Sequence, residues 1–205
     1  MATLNGEPVK EKGHPPVWER ARRLPVERCG VSGAVMSKCR RYRYHLTRGG
    51  WLGGSGTVAF VMLNPSTANA EEDDPTIRRC IRFAKDWGYA QLSVVNLYAY
   101  RATNPKELKA LGREAIGETC ERTGYGPLYS NVNDNWLRTT AMQADQIVVA
   151  WGASEGPVSG RAKDSAEVLM THRGPFLKAL GTTKAGHPRH PLYVRADADL
   201  VDWPA

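Results

Sequence analysis

No stretch of this chain is apolar for long enough to cross a bilayer. The opening residues, MATLNGEPVKEKGHPP, lack the apolar centre of a signal peptide. Both absences predict a cytoplasmic protein with no membrane partner. Cysteine is scarce: four residues, at 29, 39, 80 and 120, with no CxxC pair and no histidine at finger-like spacing from two of them. That argues against a structural zinc site and favours reduced, structural thiols. Acidic residues fall short of basic ones, 21 against 28, for a net charge of +7. Residues 1–50 hold 11 Lys+Arg and 4 Asp+Glu, whereas residues 51–205 hold 17 of each. A basic N-terminal quarter beside a neutral remainder suits a phosphate-bearing partner, nucleic acid or nucleotide. A solvated basic extension with no partner would have the same composition.

What is present suits a globular fold: 205 residues, 41% hydrophobic and 24% charged. A chain of this size buries a core without metal or disulfide. We divide it into a basic extension over 1–40 and a single α/β domain over 41–205. Residues 1–25 read as a loosely ordered arm, with a short helix near VWERARRL. RYRYHLTR (41–48) alternates, with Tyr42, Tyr44 and Leu46 on one side and Arg41, Arg43, His45 and Thr47 on the other, which predicts a half-buried strand. TVAFVMLNP, LSVVNLYAY and QIVVAWGA are continuous apolar runs. Such runs predict strands buried on both faces, hence parallel pairing.

Helices are expected between the strands. In DPTIRRCIRFAKDWGY, Asp74 can cap, Pro75 suits the first helical position and Gly88 suits the stop. NPKELKAL opens a second helix. NDNWLRTTAMQA is a third, capped by Asn133 or Asp134, and GETCERTGYGPLYSN (117–131) reads as an inserted loop before it. VLMTHRGPFLKAL is a fourth, broken at Gly174-Pro175, and HPLYV is a short last strand. The expected fold is a three-layer α/β domain, its central sheet mostly parallel with helices on both faces.

Ligands of open α/β sheets bind beyond the carboxyl ends of the strands. Here those ends carry Leu63-Asn64-Pro65-Ser66-Thr67, then Asn96 followed by Tyr98, Tyr100 and Arg101, then Trp151-Gly152. The segment Gly186-His187-Pro188-Arg189-His190-Pro191-Leu192-Tyr193 leads toward the same rim. Each feature also has a plain structural reading, since Asn-Pro turns chains and Trp151 could be core.

The segments FVMLNPSTANAEEDDPTIRRCIRFAKDWGY, VVNLYAYRATNPKEL, NDNWL, IVVAWGA and TKAGHPRHPLY resemble a family of bacterial and phage proteins known as domain of unknown function 1643. The order LNPS, VVN, AWG, GHPRHP is also similar to that of the uracil-DNA glycosylase superfamily. That second resemblance implies a uracil-DNA glycosylase-like fold and a hydrolase of N-glycosidic bonds, with a role in DNA repair or DNA modification. The substrate would be a normal or modified base in DNA, a nucleotide or a nucleoside, and no metal or organic cofactor would be needed. Asn64 would position the attacking water. His187 or His190, with His187 favoured, would hydrogen-bond the departing base. Asn96 would read the base edge and Tyr98 would stack on it, with Pro65, Ser66, Thr67, Trp151 and Gly152 completing the substrate wall. Arg41, Arg43, Arg78, Arg79 and Arg189 would hold phosphates. The chain departs from that pattern at Leu63, which replaces a glycine, and at Arg189-His190, inserted between the two prolines. A nucleotide-processing or base-modification enzyme of another reaction type, and a non-catalytic nucleic-acid-binding module, fit the same rim.

Overall fold

The three apolar runs form the middle of one eight-stranded sheet. The computed structural model describes residues 26–29, 31–117, 131–173 and 176–204. In chain order the strands are β1 (Val26–Cys29), β2 (Ser32–Met36), β3 (Arg43–Gly49), β4 (Thr57–Met62), β5 (Gln91–Asn96), β6 (Gln146–Val149), β7 (Leu177–Ala179) and β8 (Val201–Trp203). The helices are α1 (Pro75–Asp86), α2 (Pro105–Leu111), α3 (Val132–Gln143) and α4 (Arg161–Arg173). The sheet order is β1-β2-β3-β5-β4-β6-β7-β8.

The fold is α/β, but the sheet is mixed rather than mostly parallel. Only β5-β4-β6-β7 pair in parallel. The meander β1-β2-β3 joins β5 antiparallel, and β8 joins β7 antiparallel. Within the meander, short connections join β1 to β2 and β2 to β3, as antiparallel pairing allows. Because β1 and β2 belong to the sheet, the domain does not begin at residue 41: the N-terminal extension contributes two strands. The expected helix near residues 17–24 and most of the 117–131 loop lie outside the described residues.

Both faces of the parallel core are covered, which is why its strands are apolar without alternation. Val58, Phe60, Leu92 and Val94 pack against Ile77, Cys80, Phe83 and Ala84 of α1. Ala59, Val61, Val95, Ile147 and Val149 pack against Leu108, Leu137, Ala141 and Leu169 of α2, α3 and α4. The α1 boundaries follow the sequence: the Asp74 carboxylate accepts from the Ile77 N–H at 2.8 Å, Pro75 opens the helix, and Gly88, at φ +78°, lies just past its end. The α3 cap is Asn131 rather than Asn133 or Asp134, its side chain accepting from the Asp134 N–H at 2.8 Å. Asn133 and Asp134 are inside the first turn and buried. The FLKAL stretch yields strand β7, not helix, because it pairs with β6 at the parallel edge. HPLYV is not a strand: His190 caps a short 3₁₀ turn at Pro191–Tyr193, and the last strand is Val201–Trp203. Among the described residues Cys39 and Cys80 are free thiols, and no helix is long and apolar enough to cross a membrane.

One irregularity redirects a side chain into the site. Between β2 and β3 the register runs Val35↔His45 and then Met36↔Arg43, so Tyr44 is an extra residue. A bulge of this kind breaks alternation. It puts Arg43 beside Met36, whereas His45 turns the other way, onto Trp136 of α3 (ring centroids 4.9 Å apart, 16° between planes) with its Nε2 2.7 Å from Ser93 Oγ. Burial pushes the His45 ring down to about 4 from its ordinary 6.5. Between those values the unfolded chain takes a proton that the folded chain does not, so stability falls as pH drops through that window. The loss is at most about 3 kcal/mol at 1.36 kcal/mol per unit, less where solvent reaches the ring. We expect urea midpoints measured from pH 7 to pH 4 to fall, and His45→Gln to flatten that fall. An equally steep fall in the variant would show that His45 is not the group responsible.

Candidate active site

The strand order itself locates a site. From β4 the chain crosses by α1 to β5 on one side, then by α2 and α3 to β6 on the other. That reversal is a topological switch point, where α/β sheets leave a crevice at the carboxyl ends of the strands. A cavity of about 790 Å³ lies there. Its wall includes Met62, Asn64, Ser66 and Thr67 after β4, the start of α1, Trp151 to Ser154 after β6, and Thr183, Arg189, His190, Leu192 and Tyr193.

Arginines of β3 and of the segment after β5 hold the loop from Asn64 to Asp74. Arg101 donates to the Ser66 and Thr67 carbonyls at 3.3 and 3.1 Å, and Arg43 to that of Ala68 at 2.8 Å. Arg48 donates to the Asn69 carbonyl at 2.5 Å and pairs with Asp73 at 2.7 Å. Within this loop the Asn64 amide nitrogen donates to the carbonyls of Pro65 (2.9 Å) and Ala102 (2.7 Å). Both of its protons are thereby committed, so its carbonyl oxygen is the group left to accept.

Also on the cavity wall, His190 Nδ1 accepts from the Leu192 N–H at 3.3 Å. Burial pulls this ring below the usual histidine range, and the nearby charge of Asp74 opposes the shift. A neutral ring accepting at Nδ1 carries its proton on Nε2 and is a donor there. Gly152, at φ +86°, takes a left-handed turn that favours glycine, and the His190 side chain packs beside it.

The expected residues divide cleanly. Asn64, Ser66, Thr67, Trp151, Gly152, Arg43, Arg189 and His190 line the cavity. His187 does not; its backbone closes a turn with Thr183. Pro65 is buried behind the wall, where its carbonyl accepts from Asn64. Tyr98 is no stacking platform. It is fully buried on the opposite face of the sheet, with its hydroxyl donating to the Glu155 carbonyl at 2.7 Å. Arg41 and Arg78 are exposed away from the cavity, and Arg79 is tied to the Val194 carbonyl. Arg43 is not part of an exposed basic strip, being 1% exposed.

Asn96 lies under the site rather than on its wall. By alternation it shares the face of Leu92 and Val94, beside Met62, its register partner. It is 1% exposed, and both of its amide atoms lack a hydrogen-bond partner among the described residues. An unpaired buried amide costs on the order of 1–3 kcal/mol. Asn96→Leu, nearly isosteric, should therefore raise the melting temperature by roughly 2–4 °C for each kcal/mol relieved. A lowered melting temperature in calorimetry would show that the amide is satisfied in solution.

Sequence reasoning misses Asp74 as a site residue because the cap it forms explains its carboxylate locally. The missing signal was geometric: the cap of a helix that follows a parallel strand stands at that strand's carboxyl end. Asp74 lines the cavity and is 7% exposed. Among the described residues no three His, Cys, Asp or Glu side chains are placed to hold a metal ion. No curated protein and no solved structure matches the chain. A family model described as a protein of unknown function (DUF1643) matches residues 43–192, from the bulged strand to the turn beside His190, and the chain belongs to that family.

Proposed function

We propose that this cavity hydrolyses an N-glycosidic bond, releasing a base from DNA or from a nucleotide or nucleoside. The observation that carries the reading is a pair of groups lining one cavity: an Asn64 amide locked so that its oxygen accepts, and a His190 ring held so that its Nε2 donates. The Asn64 oxygen would hold a water against the anomeric carbon. The water oxygen bonds to that carbon, the carbon–nitrogen bond breaks, and the bonding pair leaves with the base. The water's proton passes to solvent or to the released base. His190 Nε2–H meets the negative charge as it grows, and a donor placed at developing charge acts more on the transition state than on the bound state. The cavity volume is within the roughly 300–1,000 Å³ of small-molecule sites. The order of the strand-end motifs, similar to that of the uracil-DNA glycosylase superfamily, supports the same reaction class.

The test is incubation of the protein with DNAs and nucleosides carrying normal and modified bases, scored by mass spectrometry for free base. Release that disappears in Asn64→Ala is expected. No release from any substrate, or release unchanged in that variant, would overturn the reading.

A further inference from the structure

The cavity holds two opposite charges that are not paired with each other. Asp74 uses Oδ1 to cap Ile77, which leaves Oδ2 without a protein donor among the described residues. Arg43 spends Nη1 on Ala68, and among the described residues its buried Nε has no partner. No ion pair joins them within the described residues, although both line the cavity and both are more than nine-tenths buried. Burial pulls Arg43 down to about 10, with Asp74 opposing the shift, so the guanidinium stays charged at neutral pH. Unpaired buried charges of opposite sign are costly, and a dipolar ligand bridging them would offset that cost.

From the Asp74 carboxylate and the Arg43 guanidinium in one cavity we infer that its ligand is a 2-amino-6-oxopurine, a guanine-type base, rather than a pyrimidine dione. This rests on the nucleobase reading above. A guanine edge presents two adjacent N–H donors, which a carboxylate accepts as charge-assisted bonds, and a carbonyl oxygen, which a guanidinium donates to. A pyrimidine dione offers one donor between two carbonyl oxygens. Against Asp74, those oxygens meet a negative charge, and repulsion of this kind discriminates as strongly as attraction. An adenine edge offers one donor group beside a bare acceptor. Hypoxanthine keeps the carbonyl but lacks the 2-amino group, so it isolates the contribution of the second donor.

The experiment is calorimetric titration of the full chain with guanosine, inosine and uridine at neutral pH, repeated with Asp74→Asn and Asp74→Ser. Asparagine and serine cap helices as well as aspartate, so both variants should keep the start of α1 while losing the charge. Guanosine should bind at least about tenfold tighter than inosine or uridine, the scale of one lost hydrogen bond to a charged group. Both variants should lose that advantage. Equal or tighter binding of uridine or inosine, no binding of any of the three, or guanosine binding indifferent to Asp74 would each overturn the inference. Base release from a uridine substrate that does not depend on Asp74 would sink this inference and leave the hydrolase reading standing. Guanosine binding that depends on Asp74, with no base released from any substrate, would do the reverse.

Discussion

His190→Ala should lower the turnover of base release about 10²–10³-fold, the scale of losing one donor aimed at an oxyanion, whereas His187→Ala should leave turnover within a few-fold. Only His190 lines the cavity, and only His190 has its Nδ1 held by a backbone N–H. Asn64→Ala should also fall mainly in kcat, with ligand affinity retained, because positioning a water matters in the transition state. Single-turnover kinetics on a substrate from the release panel would separate these effects from product release. A large loss in His187→Ala with none in His190→Ala would show that the cavity is not where the chemistry occurs.

The largest effect on stability is expected at Asp134. Arg161 donates to Asp134 Oδ1 at 2.6 Å and to the Leu97 carbonyl at 2.9 Å, and both side chains are buried. Breaking a buried pair strands a charge, at about 3–5 kcal/mol. At roughly 2–4 °C per kcal/mol for a chain of this size, Asp134→Ala should melt about 6–20 °C lower. The pair itself is not the source of the loss. Asp134→Leu combined with Arg161→Met should recover much of it, because replacing both partners by apolar groups is often near neutral. A double variant no more stable than Asp134→Ala would show that the Arg161 bond to Leu97 carries the stabilisation instead.

The strands that build the site were legible because an apolar run without alternation admits few environments. Observed strands at Thr57–Met62, Gln91–Asn96 and Gln146–Val149 match the runs closely. The Asp74-Pro75 start of α1 was legible because capping is a local matter. The flanking strands were not, since whether a short segment pairs at a sheet edge depends on which edge is free. FLKAL has the composition of a helix and becomes β7 because β6 offers an unpaired side. The side to which Arg43 turns is hidden for a related reason. Strict alternation in RYRYHLTR holds only if every residue has one partner, and the extra residue at Tyr44 is visible only in the pairing. His187 and His190 each precede a proline. Nothing local separates them; the turn that Thr183 makes with His187 does.

The arginine hold on the Asn64–Asp74 loop bears on how fast a ligand could enter. Arg43, Arg48 and Arg101 reach its carbonyls from outside the loop, and none of those bonds needs a ligand to form. A wall fixed beforehand costs no ordering entropy on binding, so more of the contact energy appears as affinity. Free and occupied forms should then differ little in backbone. Entry would be limited by encounter and orientation rather than by a conformational gate.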